Sequence, residues 1–305
     1  MGSYLLKRLL QSVFVLLGIT VVVFFVLHLS GDPVQLMVPP SASQAEVEIL
    51  REKMGFNDPI YVQYFRFLTS ALHGDFGTSY YYGQPAMDIV LERFPATIKL
   101  ASCAMVIALA LAIPAGILSA VKRNSKTDAL IRSLALLGQC VPSFWFGIMM
   151  ILLFSVKLHL LPTGGNESVK SIILPAITLG LFSAASVTRV LRSSMIEVMG
   201  KEYITVATAK GLSRYKVIMK HAFKNAFSGM MTIVGMQFAG LLGGSVITET
   251  VFAWPGVGRL IVQSITNNDF MVVEATVILL ASIFVLINFV VDVLYCVINP
   301  RVRMQ

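Results

Sequence analysis

Of the 305 residues, 56% belong to the hydrophobic set AVILMFWYC and only 13% are charged, about half the charge of a soluble domain, and the mean hydropathy is +0.78. This composition excludes an ordinary soluble domain, and it makes the net charge of +8 first a topology signal, because basic residues flank apolar spans on the cytoplasmic side. The three cysteines, Cys103, Cys140 and Cys296, stand singly in apolar runs, a pattern that supports neither a disulfide framework nor a zinc site.

Six segments are nearly free of charge and supply the roughly 20 helical residues that a hydrocarbon core of about 30 Å demands. They are residues 9–31, 100–121, 133–156, 171–188, 225–248 and 275–298. In lipid such runs have to be helices, since no water is present to satisfy an open backbone. The sequence therefore predicts an all-α membrane protein with six transmembrane helices. With the N-terminus inside, sixteen of the 24 Lys and Arg fall on the cytoplasmic side, which sets an N-in, C-in topology. The first span follows the basic pair Lys7-Arg8, yet it is too long for a signal-peptide core. It ends at His28-Leu29-Ser30-Gly31 without a small-residue cleavage site, so it reads as an uncleaved helix. The chain divides into a first helix (1–31), an external insert (32–99), a five-helix core (100–298) containing a cytoplasmic loop (189–228), and a cytoplasmic tail (299–305).

Within the insert, Ser43 to Met54 reads as a short amphipathic helix closed by Gly55. Asp58-Pro59 reads as the N-cap and first-turn proline of a second helix reaching about Leu72. Tyr80-Tyr81-Tyr82-Gly83 reads as a packed turn, with an interfacial aromatic cluster as the alternative. Pro114, Pro142 and Pro175 lie inside spans two, three and four, where a kink suits either a moving, cavity-lining helix or packing alone. In span five, Gly240, Gly243 and Gly244 make a small-residue patch that lets another helix approach closely.

Between spans four and five lies a polar, basic stretch, residues 202–227. Ile196, Met199, Tyr203, Val206 and Ala207 keep one helical period, and Tyr215, Ile218, Met219, Ala222, Phe223 and Ala226 keep another, with Lys216, Lys220 and Lys224 on a different face. Gly211-Leu212-Ser213 separates them as a glycine stop followed by a serine N-cap.

Catalytic chemistry is missing. His28, His73, His159 and His221 are scattered with no H-E-x-x-H, and Gly200-Lys201 lacks the upstream glycine of a P-loop, so neither a bound metal nor bound ATP is expected in this chain. Ion-coupled carriers commonly place ionisable groups at the bilayer midplane. Here the only candidate is Asp292, toward the cytoplasmic end of span six. An ion-driven carrier is disfavoured, and energy for uphill transport is expected from a partner at the cytoplasmic face.

The run GSVITETVFAWPGVGRLIVQSI (244–265) resembles the signature that follows the fifth helix in permeases of the dipeptide, oligopeptide and nickel class of ABC importers. VVDVLYCVINPRVR (290–303), YLLKRLLQ, LREKMGFNDPIYVQYFRFL, GDFGTSY, ERFPATIKLA and Pro142-Ser143-Phe144-Trp145 resemble the same family. The likeness covers nearly the whole chain, points to the first of two permease subunits, and is nearest to the glutathione permeases. It implies a type I importer permease fold, a second homologous permease, two ATPase subunits that hold ATP and Mg, and an extracytoplasmic substrate-binding protein, all in a bacterial inner membrane and without nucleic acid. It implies a peptide-like solute, with nickel chelates or other small solutes as alternatives. It also implies that the cytoplasmic loop carries the coupling motif. Only Ala207 and Gly211 fit the general Glu-Ala-Ala form; the peptide-class variant fits better, through Tyr203, Ala207, Ala209, Lys210, Gly211 and Leu212, with Ser213 closing the corner. Val206 stands where that variant has Thr, and Gly229 where it has Pro. The resemblance marks Glu249, Trp254, Pro255, Gly256 and Gly258 as the extracytoplasmic signature loop.

Overall fold

The structure, a computed structural model, describes residues 2–29 and 43–298. The tail at 299–305 and the start of the insert at 30–42 lie outside the described residues, as do the side-chain surroundings of Gly244 and Cys296. The described residues contain helices and turns and no strand. They form two compact units, Ile98–Trp254 with the chain from Ile287, and Gly2–Thr97 with Pro255–Leu286.

In the second unit, α1 (Gly2–Leu29) is apolar nearly all round and leaves Leu10, Phe14 and Val22 exposed, as a helix facing lipid does. The insert then folds as its caps dictate. Helix α2 (Gln44–Met54) begins at a reciprocal capping box: the Glu46 N–H donates to Ser43 Oγ at 3.3 Å and the Ser43 N–H donates to Glu46 Oε2 at 2.8 Å. Those donors, the Ser43 N–H first and its hydroxyl second, hold the Glu46 carboxyl below the usual carboxylate range. The cap therefore contributes fully above that range and is lost as pH falls through it. Gly55 ends α2 in the left-handed conformation at φ 71°. Ser43→Ala should speed amide exchange across 44–54 about fivefold, the factor a lost cap supplies, readable by hydrogen–deuterium exchange at neutral pH.

Helix α3 (Ile60–Leu72) starts one residue after Pro59 and has no side-chain cap. Asp58 is not the cap that its position suggested. Its carboxylate accepts from Arg66 at 2.6 Å instead, because a guanidinium two turns on offers a stronger partner than a backbone N–H. The Tyr80 to Gly83 segment is a turn, with the Gly83 N–H donating to the Ser79 carbonyl at 3.0 Å and Gly83 at φ 68°. Tyr82 packs inward while Tyr80 and Tyr81 stay exposed. Phe76, Ile89, Val90, Leu260 and Val272 form the core of this unit, drawn partly from α11 (Val257–Thr266) and the start of α12 (Phe270–Ile298).

Helix α4 (Ala86–Val121) contributes to both units. It begins well before residue 100, so the run ERFPATIKLA is helical rather than part of a loop. Glu92, Arg93 and Lys99 mark where the segment is too polar for lipid, but charge does not stop a helix. Pro114 is absorbed without a break. Pro175 lies in the first α-helical turn of α7 (Ile173–Met199), directly after a 3₁₀ turn at Val169–Ile172, and does not break the helix.

Pro142 behaves differently. Span three is two helices, α5 (Lys126–Cys140) and α6 (Ser143–Lys157), meeting at 98°. Proline pushes Val141 into the extended region at ψ 125°, and Pro142 then serves as the N-cap residue of α6. Among the described residues five helices are long and apolar enough to cross a membrane, or six spans when the bent pair is counted as one.

The first unit is built around α7. Leu174, Thr178, Gly180, Ala184, Val187, Leu191 and Met195 are buried along it. A Cβ placed on Gly180 would lie 2.8 Å from the Ala104 carbonyl oxygen of α4, so only glycine permits that approach. Helix α9, which runs from Arg214 through a π-helical turn at Val217–Phe223 into Lys224–Gly244, packs along α7, as does α5.

Candidate coupling site

Beyond Met199 the chain turns through Gly200 and Lys201 into α8 (Glu202–Ala209). The helix has one inward edge: Ile204 and Ala207 are buried, and it packs against the π-helical turn of α9. Tyr203, Val206, Ala209 and Lys210 are exposed. Gly211 adopts φ 75°, and the Gly211 and Leu212 N–H groups donate to the Thr208 and Ala207 carbonyls at 3.0 and 3.4 Å. This closes the helix end in the left-handed manner expected of a glycine stop. Ser213 sits at the N-cap position of α9, and its carbonyl accepts from the Val217 N–H at 3.0 Å. Its hydroxyl makes no capping bond, so the backbone alone does the work assigned to the side chain.

The structure brings Tyr203, Ala207, Ala209, Lys210, Gly211, Leu212 and Ser213 together at one corner, but not as three small residues in mutual contact. Only Ala207 is buried, Ala209 is exposed, and a Cβ at Gly211 would meet no atom within 4 Å. Gly211 is there for its backbone angle, not for a close approach. The apolar face of α9 is also shifted: Tyr215 is 74% exposed while Val217 is buried. The π-helical turn adds a residue to the repeat, so the 3.6-residue spacing fails across it. Lys216, Lys220 and Lys224 are all exposed, as are Lys201, Lys210 and Arg214. The outer surface of the corner therefore combines aromatic and aliphatic side chains with a dense positive field.

The signature residues occupy a different setting. Glu249 is fully buried in α10 (Val246–Val251), where its Oε1 accepts from Ser245 Oγ at 2.9 Å. Its carbonyl accepts from the Trp254 N–H at 2.8 Å. Trp254 is fully buried, with Lys99 Nζ 6.0 Å from its ring centroid. In the second unit, Pro255 is half-buried, Gly256 precedes α11 as its N-cap residue, and Gly258 is buried in the first turn. The Val257 N–H donates to Thr97 Oγ1 at 2.9 Å. These residues hold turns together from inside the fold. By contrast, Gly240 and Gly243 are exposed on α9, and a Cβ at either would meet nothing within 4 Å. Among the described residues, no helix makes the close approach expected at Gly240 or Gly243.

A polar cluster that sequence reading did not find lies at one end of the first unit. Asp128, on α5, is sealed from solvent and accepts from Arg192 Nε and Nη2 of α7, both at 2.8 Å. Ser119 Oγ of α4 donates to it at 2.5 Å, and the Asn124 N–H donates at 3.0 Å. The only signal in the sequence is an acid placed among cytoplasmic bases, and its partner is 64 positions away.

Long apolar helices, one sharply bent pair and an exposed basic corner define a multi-pass α-helical membrane protein. The profile of the binding-protein-dependent transport system inner membrane component family matches residues 112–304, and the profile of its N-terminal region matches residues 1–101. The chain belongs to that family. It is 41% identical over 304 residues to the glutathione transport system permease protein GsiC of Escherichia coli strain K12, covering 99% of both chains. It is 38% identical over 315 residues to the oligopeptide transport system permease protein AppB of Bacillus subtilis strain 168, covering 99% of this chain and 100% of that one. An inward-facing structure of the MetNI methionine ABC transporter is similar in fold, with a TM-score of 0.60 at 18% identity over 69% of this chain and 96% of the solved one.

Proposed function

We propose that this chain is the permease subunit of an ATP-driven importer that moves a peptide-like solute inward, with glutathione or an oligopeptide as the first candidates. It is multi-pass in the inner membrane, N-in and C-in, and pairs with a second homologous permease. Two ATPase subunits carry ATP and Mg and perform hydrolysis, and an extracytoplasmic binding protein delivers the solute. The observation that carries this reading is the corner at 202–213, where Ile204 and Ala207 anchor a short helix while Tyr203, Val206 and Leu212 remain on its surface. An apolar and basic knob fixed between two spans suits a groove on a partner better than it suits water. The names of the two relatives support a peptide-like solute over a nickel chelate.

Reconstitution of the complete assembly into proteoliposomes tests the reading. ATP-dependent uptake of a peptide-like ligand of the binding protein is expected. ATP hydrolysis without uptake of any ligand of that protein overturns the importer assignment, and uptake by this chain alone under a proton or sodium gradient would assign it to ion-coupled carriers.

A further inference from the structure

The Asp128 cluster joins three helices at the places where their ends meet. Ser119 is near the end of α4, Asp128 is in the first turn of α5, and Arg192 lies within α7, whose last residue, Met199, precedes α8 by only Gly200 and Lys201. Both carboxylate oxygens are engaged by one guanidinium, a fork geometry that fixes direction as well as distance. Ser125 Oγ accepts from the Asp128 N–H at 3.2 Å and holds the acid's own backbone. Arg132 stands on the exposed side, 3.5 Å from Oδ1.

Elsewhere α5 and α7 meet through apolar and small residues, with one neutral tie in which Gln139 Nε2 donates to Ser186 Oγ at 2.9 Å. They line a cavity of about 490 Å³ with Leu134 and Gly138 on α5 and Thr178, Leu181 and Ala185 on α7. A second cavity of about 210 Å³, shared through Ile131, Ala135, Ala185 and Thr188, reaches Ser119 and Arg192. Apolar helix faces slide past one another at small cost, whereas a bidentate ion pair with a buried acid and a largely buried base does not. At the other end of α5 is the 98° bend.

We propose that Asp128 and Arg192 are a positioning pair that pins α5 to α7, so that displacement of the α8 corner is delivered to α5, the cavity wall and the bend instead of being lost as slip between helices. The inference rests on the coupling role assigned to that corner. Without the pin, α7 still follows the corner, but α5 lags and the stroke reaches the cavity incompletely.

The test uses the complete assembly in proteoliposomes, measuring solute taken up per ATP hydrolysed together with the apparent thermal midpoint. Arg192→Lys keeps the charge and loses the fork. It should assemble and hydrolyse ATP near the wild-type rate while uptake per ATP falls about five- to tenfold. The double variant Asp128→Asn with Arg192→Met removes both charges, so no uncompensated ion remains in the fold. It should recover the thermal midpoint without recovering uptake per ATP. Wild-type uptake per ATP in Arg192→Lys, or its return in the double variant, overturns the proposal and leaves the pair a stabilising contact. Absence of ATP-dependent uptake in the wild-type assembly removes the coupling reading beneath it, a failure visible before any variant is made.

Discussion

Gly164→Ala, the smallest substitution that adds a side chain, is expected to destabilise the protein by about 3 kcal/mol. A Cβ there would overlap the Phe252 carbonyl oxygen and lie 2.7 Å from its carbon, and both are backbone atoms that cannot rotate away. The same carbonyl accepts from the Gly165 N–H at 2.9 Å, so relieving the clash also breaks the hydrogen bond. Nor can Phe252 retreat cheaply, because it is 1% exposed and its ring reaches to within 3.0 Å of a Cβ built on Gly147. In purified protein the apparent thermal midpoint should fall by roughly 6–10 °C. Gly18→Ala, with nothing within 4 Å, should leave it nearly unchanged. A Gly164→Ala midpoint equal to that of the wild type would show that the loop and the turn at Phe252 are not packed as described.

Gly211→Val should act on transport rather than on folding. Space is free around Gly211, so the penalty lies in the φ of 75°, which costs a β-branched residue about 1–3 kcal/mol. Valine relieves that strain by leaving the left-handed region, which redirects Leu212 and Ser213 and separates α8 from α9. A cost of about 1.4 kcal/mol against the docking-competent corner is a tenfold loss of effective affinity. ATP-dependent uptake in the reconstituted assembly should accordingly drop about tenfold at an unchanged level of the chain in the membrane. Gly211→Asn, which tolerates the left-handed region, should keep most of the activity. Equal uptake by the valine and asparagine variants would mean that the corner's shape is not read by a partner.

The parts legible in the sequence are those governed by local rules. The short helix that begins at Ser43, the stops at Gly55 and Gly211 and the apolar runs each depend on residues within a few positions of one another. Hydropathy located where lipid begins but not where helices begin, and α4 therefore starts at Ala86 instead of near 100. Periodicity assumed a constant repeat, and the π-helical turn at Val217–Phe223 broke that assumption and exchanged Tyr215 for Val217 on the inner face. The Asp128–Arg192 pair and the seat of Gly164 on Phe252 were out of reach because neither carries a local signal; each exists only once distant helices pack. The family motif marked Glu249 and Trp254 without saying that they are interior.

The bend between α5 and α6 also bears on how the chain enters the bilayer. Fifteen residues of α5 span about 22 Å, short of the roughly 30 Å of hydrocarbon, and α6 has the same length. Neither half is long enough to span by itself, and Pro142, which has no N–H to donate, leaves an upstream carbonyl that protein must shield from lipid. The third span is therefore expected to enter with its neighbours, since α7, which follows it in synthesis, is the surface against which α5 packs. A ribosome-tethered chain truncated ahead of α7 should accordingly leave this segment accessible to water.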